Sequence, residues 1–160
     1  MFKKILIIWA LVALAPSFAC ATTAFDTLDG KVKTVYDGAS LLLDGVHRLD
    51  VVLMGVKNPS LRKPFRDRAS KALSQKLHGK MVKVVIYDRV PSKHHYSNTP
   101  EYAMVAVVMI GDRNINLEMV SEGLARAEKL GIDKAFDEEL VAAELQARKQ
   151  KKGLWIQKNP

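Results

Sequence analysis

His47-Arg48-Leu49-Asp50-Val51-Val52-Leu53-Met54-Gly55-Val56-Lys57-Asn58-Pro59-Ser60 is the stretch around which the rest of the chain arranges itself. Leu49, Val51, Leu53 and Gly55 fall on one face of an extended backbone, and Val52, Met54 and Val56 on the other. The second half is therefore apolar on both sides, as in a central strand. Pro59 has no amide hydrogen to give to a ladder, so it ends the strand and leaves a loop at the exit.

Two turn signals, Asp37-Gly38 and Asp44-Gly45, stand upstream. They divide Lys31–Tyr36, Ser40–Leu43 and His47–Val56 into a three-strand meander. Downstream the period changes. Phe65, Ala69, Ala72, Leu73 and Leu77 recur at helical spacing over Leu61–Leu77, and Gly79 is the stop signal. Lys80–Asp88 and Tyr102–Ile110 alternate as strands, separated by a polar loop, Arg89–Pro100. Asn114 is placed to cap a short helix, Ile115–Glu122, that Gly123 terminates. A long helix is expected over Lys134–Lys152, and Gly153-Leu154-Trp155 would turn an indole back onto the body. Five strands with helices inserted and appended, and no internal repeat, make one α+β domain.

The chain has 160 residues, 48% of them hydrophobic and 26% charged, and a formal net charge of +8. That composition is globular, and the charge favours anionic partners or simple solubility. Residues 1–21 read as a signal peptide, with Lys3-Lys4 as the positive start, Ile5–Ala15 as the apolar run and Pro16 before small residues. Ser17-Phe18-Ala19-Cys20 also resembles a degenerate lipobox, which would make Cys20 a lipidation site. Export from a bacterial cell follows as the expectation: a periplasmic or secreted protein, or one anchored in the envelope through lipid on Cys20. Residues 22–30 are expected to be a polar tether. Cys20 is the single cysteine, so the exported domain has neither an internal disulfide nor a cysteine metal site.

Asp37-Gly38-Ala39-Ser40, Val52-Leu53-Met54-Gly55-Val56-Lys57-Asn58-Pro59-Ser60, Ala103-Met104-Val105-Ala106, Glu122-Gly123-Leu124-Ala125 and Lys152-Gly153-Leu154-Trp155 together resemble the staphylococcal-nuclease-like (thermonuclease) family over residues 31–157. The resemblance implies a five-stranded barrel of the oligonucleotide/oligosaccharide-binding type with three helices. It also implies hydrolysis of phosphodiesters by a Ca²⁺ held on carboxylates, a Glu acting on water and two Arg facing the developing charge.

Each of those roles has a position here, and each is substituted. The first metal carboxylate is Ala39 and the second Lys57, the Glu is Ser60, and the two Arg are Val52 and Ala103. Asp37 is expected to be the only carboxylate kept nearby. No metal or cofactor is expected, and the domain reads as a pseudo-nuclease that binds an anionic ligand, nucleic acid or an envelope protein as a monomer. Lys57, Ser60, Arg62 and Lys63 are the candidate anion-binding residues, and Tyr96 and Tyr102 the candidate stacking residues. Two alternatives stay open: a Ca²⁺-dependent nuclease with a displaced site, and a lipid-anchored interaction protein in which the cleft has no part.

Overall fold

The computed structural model describes residues 24, 26–44, 49–59, 63–92 and 102–156. The chain order is β1 (Asp26–Val35), β2 (Ser40–Asp44), β3 (Leu49–Leu53), β4 (Val56–Lys57), α1 (Lys63–Leu77), β5 (Met81–Pro91), β6 (Tyr102–Ile110), β7 (Arg113–Asn114), α2 (Ile115–Ser121), β8 (Arg126–Ala127), α3 (Lys134–Lys149) and a final 3₁₀ turn, Gly153–Ile156.

Strands β3, β2, β1, β5 and β6 pair in that order, and β3 then pairs in parallel with β6. The sheet thereby closes into a five-stranded barrel with three helices, and closure removes the exposed edges an open sheet would leave. Strand β7 adds a short hairpin to β6. The barrel interior is filled by alternating apolar side chains, among them Val32, Leu41, Val51, Leu53, Val84 and Val108. Helix α1 contributes Ala69, Leu73 and Leu77 at four-residue spacing, and α2 and α3 contribute Ile115, Met119 and Leu140.

The stretch expected to be a tether contains the first half of β1. Asp26 to Gly30 pair with Ile86 to Val82 of β5. Its side chains show no clean alternation because most of them face solvent. Backbone ladder bonds hold it, and these leave no mark in side-chain periodicity. Strand β5 likewise runs to Pro91, three residues into the expected loop, paired with Tyr102 of β6.

The opening stretch is two strands instead of one. Gly55 takes φ +70, a left-handed conformation that turns β4 away from the barrel to pair with β8. A Cβ on Gly55 would overlap Cδ1 of Leu140, so α3 can reach the turn only over a glycine.

Buried Asn116 locks the same corner. Its Nδ2 donates to the carbonyls of Met54 at 2.9 Å and Ala106 at 3.0 Å, while its Oδ1 accepts from the Val108 amide at 3.0 Å. Asn114 caps α2 as its position predicts, accepting from the Leu117 amide at 3.2 Å. Helix α3 is shorter than its pattern suggests. It is capped by Asp133 and Gln150, and Lys151 at φ +51 leaves the helix before Gly153.

Candidate functional site

A cleft of about 670 Å³ opens where the β1–β2 turn, β3, β4 and the β5–β6 ends meet. Ala39, Val52, Lys57 and Ala103, four of the five positions to which the resemblance assigns the family chemistry, line it together. The register brings them there. Val52 lies opposite Ser40 of β2 and Val105 of β6, and the Leu53 amide donates to the Ala39 carbonyl at 2.8 Å. The fifth position, Ser60, lies outside the described residues, as do Arg62, Tyr96 and Cys20; of Lys63 only the backbone is described.

Asp37 braces the turn that carries Ala39. Its Oδ1 accepts from the Ala39 amide and the Ser40 hydroxyl, both at 2.8 Å, an arrangement that lets a short Asp substitute for backbone pairing. Gly38 beside it sits against Ala69 of α1 and the Asn58 amide oxygen, with no room for a side chain.

Asp37 is the carboxylate the resemblance keeps near the site, and Asp50 and Glu128 line the cleft with it. Asp50 is 8% exposed. Tyr36 donates to its Oδ1 at 3.0 Å and Ser92 to its Oδ2. Barrel closure creates this arrangement, because Asp50 of β3 lies opposite Ala103 of β6, across the chain from Ser92. The signal was visible in the sequence: Asp50 is the one charged residue between Leu49 and Val56. Glu128 arrives by a different route. It follows β8, and its amide donates to the Gly55 carbonyl at 2.9 Å.

Glu128 there meets Lys57, the residue the sequence offers as a charge for an anion. Its ammonium is bound to Glu128 Oε1 at 2.7 Å. The pair is exposed and contributes little to stability, but its two charges cancel at the cleft rim. Tyr102 stands outside the lining, 55% exposed at the start of β6 beside Ala103.

A Ca²⁺ ion does not fit this donor set. Hard cations take six to eight oxygen ligands. Here Ala39 offers a methyl group, Lys57 an ammonium, and both Asp50 oxygens already accept hydroxyl protons. Among the described residues no group of three or more His, Cys, Asp or Glu side chains is placed to hold a metal.

Residues 50–157 match the family model described as staphylococcal nuclease homologue. Over 131 residues the chain is 30% identical to a thermonuclease of Staphylococcus intermedius, an alignment spanning 78% of this chain and 74% of that protein. It is also 30% identical over 132 residues to a protein of Haemophilus influenzae described as an uncharacterized endonuclease, spanning 81% of this chain and 67% of the other.

Proposed function

The chain belongs to the staphylococcal nuclease family, and from that premise we propose that it is a binding module that uses the nuclease barrel without nuclease chemistry. One observation carries the reading. The cleft that would hold the reacting phosphate is lined by Ala39, Val52 and Ala103 and by a Lys57 already neutralised by Glu128.

Phosphoryl transfer needs charge aimed at the oxygens where negative charge develops, and removing one such donor typically costs about 2.7–4 kcal/mol of transition-state stabilisation. Losses of groups that act together do not add cleanly. Even so, the described side chains supply neither a divalent-metal site nor an unpaired cation within the cleft lining, so little of that stabilisation is left. The function of such a domain is recognition, because function resides in the residues placed on a fold and not in the fold.

The test is direct. The purified protein is incubated with single-stranded DNA and with RNA in Ca²⁺, Mg²⁺, Mn²⁺ or chelator, beside a metal-dependent nuclease as control. The expected outcome is intact substrate under every condition. Metal-dependent cleavage that follows the protein peak through successive columns would overturn the reading.

A further inference from the structure

We propose that the C-terminal face, formed by the end of α3 and the turn that follows it, docks on an anionic lipid surface. This face is separate from the cleft, and its role does not depend on what the cleft binds.

From Leu145 to Pro160 the chain carries Arg148, Lys149, Lys151, Lys152 and Lys158 and no Asp or Glu. Lys149, Lys151 and Lys152 are exposed, and none of them forms an ion pair with a described residue. The acids around them are engaged. Glu144 holds Arg148 and the Ala127 amide, and Glu122, next to the Gly123 that touches Gly153, holds Lys76. Glu138 and Glu139 are exposed near the other end of α3, about 15 Å along the axis from Lys149. That distance exceeds the screening length of about 8 Å at physiological ionic strength, so these two acids do not cancel the lysines.

The backbone shows that one of these lysines is present at a conformational cost. Helix α3 ends in a left-handed cap, in which the Lys152 amide donates to the Ala147 carbonyl at 3.0 Å and the Lys151 amide to the Arg148 carbonyl at 3.1 Å. Glycine is the usual residue at the left-handed position of such a cap. Here it is Lys151 at φ +51, the only non-glycine residue with positive φ among the described residues. The negative end of the helix dipole favours Arg148 and Lys149, but it does not call for a side chain in a conformation that L residues resist. An external anion does. The support beneath the lysines is fixed, because the Leu154 amide donates to the Gly123 carbonyl and the Trp155 amide to the Lys152 carbonyl, both at 2.8 Å.

Apolar exposure favours lipid over nucleic acid. Leu145 is 54% exposed and Ile156 62%, two of the five large apolar side chains exposed among the described residues. Leu145 shares the outward stripe of α3 with Lys149, four residues on. Ile156 follows Trp155, whose ring Arg148 covers at 4.0 Å. Lysines among exposed aliphatic groups suit a membrane interface, where the cations meet headgroup phosphates and the aliphatic groups enter the acyl boundary. A phosphodiester backbone would take the cations and leave Leu145 and Ile156 in water.

The experiment titrates the isotopically labelled full chain with small bicelles that carry a nitroxide on a headgroup, following broadening of backbone amides. One set is phosphatidylcholine alone, the other equal parts phosphatidylcholine and phosphatidylglycerol. The amides of Leu145, Lys149, Lys151, Lys152 and Ile156 are expected to broaden with the anionic set and not with the neutral one, and to sharpen again at high salt. Lys149→Glu combined with Lys152→Glu leaves the apolar run Ile5–Ala15 unchanged and is expected to weaken this contact at least about a hundredfold. Lys151→Gly should raise the urea midpoint, by relieving the left-handed strain, and weaken the contact about fivefold. A lysine with a structural role alone would change stability and leave the contact as it was.

Equal broadening with the two sets, broadening with neither, or a contact that survives the double charge reversal overturns the inference. So does single-stranded DNA that displaces the anionic bicelles from these amides at equal phosphate concentration, because it assigns the face to nucleic acid.

Discussion

Asn116 is the residue whose loss the barrel would feel most among its polar groups. Its amide bonds three backbone groups, the Met54 carbonyl in the β3–β4 turn and the Ala106 carbonyl and Val108 amide of β6, and each buried group left without a partner costs about 1–3 kcal/mol. Asn116→Leu is therefore expected to destabilise the protein by about 3 kcal/mol or more, read as a lower midpoint in urea at unchanged slope. Lys57 and Ala39 invite the reverse experiment. Ala39→Asp with Lys57→Asp removes the ammonium and adds two carboxylates beside Asp37. The double variant should acquire a weak Ca²⁺ site, with Kd on the order of 10⁻⁴–10⁻³ M, measurable by calorimetry. A variant that still gives no heat with Ca²⁺ would mean that these positions do not converge as described. Asp50 shows how far residue identity can be read without a fold: a lone charge in an apolar strand is visible, but its two hydroxyl partners, Tyr36 and Ser92, come from other segments of the chain.

At the scale of elements, α1 and α2 are joined by a charge cluster. Lys76 binds Glu118 at 2.9 Å and Glu122 at 2.7 Å, and Arg113 of β7 grips Glu118 with Nε at 2.6 Å and Nη2 at 2.7 Å. The Arg113 hydrogen bonds, opposed by partial burial and reinforced by Lys76, hold the Glu118 carboxyl down to about 2, from an ordinary value of 4.5. A lowered carboxyl stabilises the fold above its unfolded value, and that contribution fades as pH falls from about 4.5 toward 2. Arg113 is half exposed, so solvent screening reduces this contribution. Urea midpoints at pH 6 and pH 3 should differ more in the parent protein than in Glu118→Gln; equal differences would remove the claim. Gly55 is the other element-scale device, because it lets α3 approach the β3–β4 turn. Gly55→Ala combines a left-handed φ with a clash against Leu140, and it should cost more than the about 1 kcal/mol typical of a free glycine site.

For the whole molecule, the C-terminus is tied back to its middle. Arg148 stacks on the Trp155 ring at 4.0 Å, Arg126 lies 5.5 Å from the same ring, and the Leu154 amide donates to the Gly123 carbonyl at 2.8 Å. Glu144 joins this region to β8 by accepting from the Ala127 amide at 2.6 Å, and it also holds Arg148. One core and one closed barrel predict one cooperative transition. In Trp9→Phe, which leaves Trp155 as the single indole, tryptophan fluorescence and far-ultraviolet circular dichroism should share one thermal midpoint. Separate midpoints would make the C-terminal clamp an independent unit.

The sequence by itself determined the strands that bury alternating or continuous apolar faces and the caps at Asn114 and Gly123. Each of those is a local statement, set by side-chain type and spacing. Three features were decided only by the tertiary structure: the strand content of Asp26–Gly30, the break at Gly55, and the carboxylates Asp50 and Glu128 at the cleft. Ladder bonds belong to the backbone and leave no residue signature. The left-handed Gly55 answers to Leu140, which is 85 positions away in the chain. The charge of a cleft is a sum over segments that meet only when β3 closes on β6 and β4 pairs with β8. Lys57 read in its own stretch is a free cation; folded against Glu128 it is half of a neutral pair, because Coulomb interactions depend on distance in space and not on separation along the chain.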